Sequence, residues 1–310
     1  MPTPNLPEFL KPGDLATLVC PASFVTGELE DAGQLLQSWG LRVKKGETVQ
    51  TRLNQYAGSD ELRAADLQSA LDDPEVKVVF AARGGYGTVR IIDRIDFTKF
   101  LQKPKWLVGY SDITVLHSHI HAVYGIPTIH GQMSVTIPEG TSSSLDTLRK
   151  ALFGEKLDYN YETNPTLAPS NRDGNGKGKL IGGNLALLHS LMGSRSEMDF
   201  DGKVLLIEDV GEQYYNVDRM LWTLKRAGKL QGLAGLIVGG FSSMKDQEVP
   251  FGSTVEEIIL EKIYAHEFPV AFDFPSGHIP NNHALMLGRE VSLSVRGASV
   301  ELKYTDSNDR

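Results

Sequence analysis

Several things are scarce in this sequence, and each scarcity narrows what the protein can be. There is one cysteine, Cys20, in 310 residues, so no internal disulfide can form, which fits a reducing compartment. No run of about 18 apolar residues occurs, so no membrane-spanning helix is expected. Basic residues are outnumbered, 31 Lys and Arg against 39 Asp and Glu, leaving a formal charge of −8. Neutralising phosphates needs the opposite sign, so neither nucleic acid nor an anionic membrane is an expected partner. The opening MPTPNLPEFLKPGD has neither a basic start nor an apolar centre. It does not read as a signal peptide, and a cytoplasmic location is expected.

What is present alternates. Leu15 to Val19 is a short apolar run that stops at Cys20-Pro21. Apolar residues recur at helical spacing from Glu28 to Trp39, and Gly40 ends that helix. A strand follows at Leu41 to Val43, then a helix to Leu71 that Ser59 or Asp60 caps. Val76 to Ala82 and Trp106 to Val108 read as buried strands, and Asp112 to Tyr124 as the next helix. Strand–helix alternation of this kind implies a parallel sheet covered on both faces. After a helix at Leu145 to Phe153, the stretch Asn160 to Lys179, NYETNPTLAPSNRDGNGKGK, is rich in Asn, Gly and Pro and reads as a long loop. The expected division is therefore an N-terminal α/β domain over 1–155, an inter-domain loop over 156–179 and a C-terminal domain over 180–310. In the last part, Val204 to Ile207, Leu236 to Val238 and Val270 to Phe272 are strands, and Val217 to Ala227 and Thr254 to Tyr264 are helices. VSLSVRGASVELKY alternates around Arg296-Gly297, which is a hairpin pattern.

Four places can carry chemistry. In WLVGYSDIT a strand enters Gly109 and a helix follows Asp112, so Ser111 sits on a tight turn near the positive end of a helix. The Asp112 amide can then face a developing oxyanion. Ser-Asp before a helix is also a common cap, and Ile113 departs from GxSxG. In FAARGGYG, Gly84 and Gly85 permit backbone that other residues avoid. Phosphate binding in an anion nest, an oxyanion donor and a plain tight turn all fit, and Arg83 can pair with a carboxylate. Glu208 follows the strand Val204 to Ile207, with Asp209 and Glu212 as rivals. His278 lies on the loop FPSGHIPNNH, with His283 as its rival. HSHIH sets His117 and His121 at i and i+4, as zinc ligands can be. No third ligand is evident, so no metal is expected. Cys20 reads as a core residue.

The blocks ARGGYG, GYSDIT, LIGGNL, LLIEDVGE and SGHIPNNHALMLG, in this order, resemble the LD-carboxypeptidases, a serine peptidase family whose clan also holds the microcin-immunity peptidases. The resemblance runs from about Lys11 to Leu302. It implies an α/β fold, with a flavodoxin-like parallel-sheet N-terminal domain and a smaller mixed α/β C-terminal domain that is partly β-rich. It also implies Ser111 as nucleophile, Glu208 and His278 as its partners, and the amides of Gly85 and Asp112 as the oxyanion hole. Arg83 and Gly84 are assigned to the substrate side, Arg83 by charge. The family often has Gly after the histidine, where this chain has Ile279. The implied reaction releases a terminal D-amino acid from a murein tetrapeptide, with a small peptide as partner and no cofactor. A homodimer is also expected. Two other readings stay open. A microcin-type amidase would cleave a peptidyl or aminoacyl nucleotide, but would benefit from a Trp platform. The stretch 160–179 has Tyr161 and no Trp. A non-catalytic ligand-binding protein would use the RGGYG turn alone.

Overall fold

Val-rich runs flanked by helices give strands buried on both faces in the first half of the chain. The computed structural model describes residues 6–27 and 29–305. Its contacts separate two units, Met1–Lys156 with Pro280–Met286, and Leu157–Ile279 with Leu287–Arg310. In the first, β1 (Leu15–Val19), β2 (Arg42–Lys45), β3 (Val76–Ala81), β4 (Trp106–Gly109) and β5 (Thr128–His130) pair in parallel. Their spatial order is β5-β4-β3-β1-β2, the flavodoxin-like order. A short strand from late in the chain, Leu285–Leu287, lies beyond β5. β1 and β4 are buried throughout and β3 nearly so, whereas the edge strand β2 carries Arg42, Lys44 and Lys45 outward, the kind of charge that discourages edge pairing. The connecting helices are α1 (Glu30–Ser38), α2 (Asp60–Asp72), α3 (Thr98–Gln102), α4 (Thr114–Tyr124) and α5 (Ser142–Phe153). Ser59 caps α2 by accepting from the Leu62 amide. Glu28, expected to open the first helix, and the first five residues of the opening stretch lie outside the described residues.

The second unit contains β6 (Asp158–Glu162), β7 (Gly174–Asn184), α6 (Leu185–Ser190), β8 (Val204–Val210), α7 (Tyr214–Arg226), β9 (Gly235–Ser242), α8 (Val255–Ile263) and β10 (Val270–Ala271). The strand Leu285–Leu287 is β11, and β12 (Glu290–Arg296) and β13 (Ser299–Tyr304) close the chain. The sheet runs β10-β9-β8-β7-β12-β13-β6. β7 joins two regimes. Its second half, from Leu180, pairs in parallel with β8, and its first half pairs antiparallel with β12. The β12–β13 hairpin turns at Gly297, as the alternation predicts. Leu185, Val217, Leu221 and Ile258 from the helices pack with Ile181 and Leu205 of the sheet.

The stretch 156–179 is not one long loop. Asp158–Glu162 pairs with β13, and Gly174–Lys179 is the first half of β7. Glycine disfavours strands by propensity, but here the absence of a side chain is needed. A methyl on Gly176 would collide with the Ala234 carbonyl, and one on Gly178 with the Gly202 carbonyl.

Candidate functional site

The strand β4 ends at Gly109, where a methyl would lie 2.9 Å from both Cγ atoms of Ile113. Glycine there lets the following helix fold back onto the strand. Tyr110 is extended and Ser111 has φ +64. A non-glycine residue in this left-handed region costs on the order of 1–2 kcal/mol, the kind of strain found at functional turns. A 3-10 turn covers Ser111–Ile113, and α4 starts only at Thr114, two residues after the expected start. Neither Ser111 nor Asp112 caps α4, which has Ile113 at that position and no side-chain cap. Instead the buried Asp112 carboxylate accepts from the Thr88 amide at 2.9 Å. Burial raises its pKa, against the hydrogen bonds from Thr88 and Gly87.

The RGGYG turn lies directly against this elbow. A methyl on Gly84 would sit 3.0 Å from Ser111 Cβ, 3.2 Å from its Oγ and 3.3 Å from the Asp112 nitrogen. Gly85 has φ +98 and faces Ser23, whose amide donates to the Gly84 carbonyl at 3.1 Å. The fully buried Arg63 ties the loops after β1 and β3 together, donating to Pro21 O at 2.5 Å and Gly87 O at 2.9 Å and pairing with Asp60. Sequence reasoning passed over Arg63, and its signal was a cation among Ala64, Leu67 and Leu71 on the apolar side of a helix. Arg83 itself is exposed and donates to Phe24 O at 2.9 Å. It borders an open cleft of about 570 Å³ that is also lined by Thr26, Glu30, Asp31 and Ser134.

The second unit holds the acid and the imidazole. Glu208 is fully buried on β8. The register with β9 slips there: Ile207 faces Val238 but Asp209 faces Phe241, so Gly239 and Gly240 share the place opposite Glu208. A methyl on Gly277 would lie 2.8 Å from Glu208 Cβ and 3.0 Å from its Oε2, and one on Gly240 would lie 2.7 Å from Ile279. With Gly239, whose methyl would meet the Ser276 carbonyl, these glycines let the histidine loop rest on the carboxylate, and Ile279 fills the space that Gly240 leaves. His278 Nδ1 stands 2.6 Å from Glu208 Oε2. A carboxylate accepts, so Nδ1 carries the proton and Nε2 is the basic nitrogen. The ring keeps 16% of its side chain exposed, enough to be reached. Burial alone would lower its pKa, but the hydrogen bond and charge of Glu208, with Asp209 behind, outweigh that and raise it above 6.5.

The rivals are otherwise engaged. Asp209 accepts from Asn184 Nδ2, Ala186 N and Val210 N, and burial and then Glu208 push its pKa up to about 6. Glu212 accepts from Asn216. His283 lies in the first unit, near Ser143 at 3.4 Å. Among the described residues no group of three or more His, Cys, Asp or Glu could hold a metal ion. Both His117 nitrogens are engaged, by Thr128 and by Gly109. Cys20 is buried and its thiol is pushed up to about 12 by burial.

Residues 17–131 match the model of the LD-carboxypeptidase N-terminal domain, and residues 177–293 that of the C-terminal domain. The chain is 36% identical over 299 residues to the probable murein peptide carboxypeptidase of Bacillus subtilis, covering 93% of this chain and 91% of that one. It is 31% identical to the murein tetrapeptide carboxypeptidase of Pseudomonas aeruginosa, covering 89% and 92%. The crystal structure of muramoyltetrapeptide carboxypeptidase from Oxalobacter formigenes superposes with a TM-score of 0.84 at 27% identity, covering 94% of this chain and 99% of that one. The microcin C7 self-immunity protein MccF also gives 0.84, at 20% identity and 97% and 99% coverage, a likeness of fold alone. With both domain models matched in order across the two units, the chain belongs to the LD-carboxypeptidase family.

Proposed function

We propose that the protein is a serine carboxypeptidase that hydrolyses the L,D-peptide bond of a murein tetrapeptide and releases the terminal D-amino acid. The observation that carries the mechanism is the Glu208–His278 bond of 2.6 Å, which leaves Nε2 as the base. In this reading His278 takes the Ser111 proton as Oγ attacks the scissile carbonyl, and returns it to the leaving amine. The amides of Gly85 and Asp112 receive the oxyanion, and water then releases the acyl group by the same route. The chemistry calls for no cofactor. Relatives named for murein peptides at 31–36% identity support the substrate class.

The microcin-type alternative finds less support. Tyr161, the aromatic of the 160–179 stretch, donates to Phe272 O at 3.0 Å and its ring packs on Phe274, so it offers no platform for a base. Cytoplasmic residence and a homodimer belong to the proposal. Among the described residues no helix is long and apolar enough to cross a membrane, and light scattering measures the oligomer directly.

The test is hydrolysis of L,D- against L,L-linked tetrapeptides by the wild type and Ser111→Ala. The expected result is L,D selectivity, with a loss of roughly three or more orders of magnitude in the folded variant. Retained activity in Ser111→Ala removes the nucleophile assignment. Failure of a fluorophosphonate to label the wild type would favour a binding protein instead.

A further inference from the structure

One buried histidine on α4 is not used by the reaction, yet it touches the backbone that presents Ser111. His117 is 1% exposed. Its Nε2 lies 2.9 Å from the Gly109 carbonyl and its Nδ1 2.8 Å from Thr128 Oγ1. The carbonyl can only accept, so Nε2 carries the proton and donates, and Nδ1 accepts from the Thr128 hydroxyl. Thr128 stands on β5, so the ring is gripped from the sheet on one side and grips the end of β4 on the other. Burial pushes the pKa of His117 down to about 3, which keeps the ring neutral and the tautomer constant through the working range.

The carbonyl it holds is the one that most needs holding. Close packing on Ile113 requires glycine at 109, and glycine leaves the backbone free to turn there. Two residues later Ser111 occupies φ +64. Two donors counter that freedom: the Gly131 amide at 3.1 Å, from the chain leaving β5, and His117 from the helix. The loop from Gly109 to His117 is thereby closed into a ring that contains the nucleophile.

We propose that His117, clamped by Thr128, is a positioning residue that fixes the Gly109 carbonyl and so sets the direction in which the Ser111 hydroxyl is presented for attack. The inference rests on Ser111 being the nucleophile. It also gives the HSHIH motif a role that involves no metal.

Three variants test it: His117→Leu removes both bonds, His117→Gln keeps an N–H donor, and Thr128→Val removes the clamp with little change of shape. Each is assayed for kcat and KM on an L,D-tetrapeptide, for the rate at which a fluorophosphonate forms a bond to Ser111 Oγ with loss of fluoride, and for Tm. His117→Leu is expected to lower kcat and the labelling rate together by roughly tenfold or more, with KM within about twofold, the signature of a defect in presenting the nucleophile. His117→Gln should recover part of both rates, and Thr128→Val should fall between. A His117→Leu protein that melts lower but labels and turns over at the wild-type rate well below its Tm overturns the proposal. If His117→Leu does not fold, an unchanged labelling rate in Thr128→Val overturns it. Nitrogen-15 NMR of the wild-type protein should show the His117 proton on Nε2, and a proton on Nδ1 would contradict the bonding scheme. Loss of labelling in Ser111→Ala separates the two levels: if that variant still labels, the nucleophile assignment fails and the proposal falls with it, whereas a wild-type labelling rate in His117→Leu overturns the proposal alone.

Discussion

Glu208 and His278 form a coupled pair whose pH behaviour can be worked out by sign. The folded ring has a pKa raised above 6.5, so protonated His278 is favoured by folding. Its contribution to stability is full below the ordinary histidine value and is lost as pH rises through the folded pKa. With His278 as the proposed base, catalysis runs the opposite way, because only the neutral ring accepts a proton. The expected profile of kcat/KM therefore rises with pH, with a midpoint above the ordinary histidine value. In Glu208→Gln the desolvation remains while the carboxylate charge is gone, so the midpoint should fall, and kcat should drop by roughly two to four orders of magnitude through loss of the fixed tautomer. A pH–rate series on both proteins checks this, and an unshifted midpoint assigns the orientation to another acid. Arg83 is a second residue-scale case. Its guanidinium rests on the Phe24 carbonyl and stays exposed at a cleft, so it is free to serve a carboxylate with its remaining donors. If it reads the substrate's terminal carboxylate, Arg83→Ala should narrow the preference for the free acid over the amide by roughly tenfold to a hundredfold, the worth of a charge-assisted bond. An unchanged ratio of rates on the two substrates leaves it with the loop-bracing role only.

The strand β7 decides how far an element can be read from its residues. GNGKGKLIGGN has the composition of a loop, yet it is the strand on which the second sheet changes from parallel to antiparallel. Its glycines face backbone of other segments: Ala234 for Gly176, Gly202 for Gly178 and Leu206 for Gly182. Such approaches connect residues far apart in sequence, so propensity gives no hint of them. Gly178→Ala must push two backbones apart, and overpacking of this kind costs about 1–3 kcal/mol. Calorimetry should record a Tm lower by several degrees, at roughly 2–4 °C per kcal/mol for a domain of this size. An unchanged Tm would mean that the sheet relaxes at that point without strain. The helix α4 shows the complementary case: its existence and its end at Tyr124 were read from the sequence, but its start was displaced to Thr114 because the 3-10 turn at Ser111–Ile113 follows from packing on Gly109.

At the scale of the whole molecule, the two units are not two contiguous stretches of chain. Pro280–Met286 returns to the first unit, where Pro280 O accepts from Gln132, Asn281 Oδ1 accepts from Thr141 and Ser143, and the Ala284 amide donates to Thr147. The strand Leu285–Leu287 covers the edge of β5. A fragment ending at Lys156 would expose that edge, and exposed edges invite association. Expressed alone, it should aggregate or exchange amide hydrogens rapidly over Thr128–His130, whereas the full chain should protect them. Hydrogen-exchange mass spectrometry compares the two, and equal protection would make the returning segment dispensable. The sequence by itself determined the alternation of strands and helices, hence a parallel sheet covered on both faces, and the candidate residue types at turns and strand ends, while the flavodoxin-like order and the choice of Ser111, Glu208 and His278 among their rivals came from the family resemblance. The alternation and the candidates are written in local periodicity and in residue types at turns, which need no knowledge of distant neighbours. Only the tertiary structure decided that Glu208, rather than Asp209 or Glu212, meets the His278 ring, that a glycine-rich tract becomes a strand, and that the His117 ring meets the Gly109 carbonyl and the Thr128 hydroxyl. Each of those outcomes depends on which segments pack within hydrogen-bonding reach of one another, and that is set by the whole fold rather than by any local run of residues.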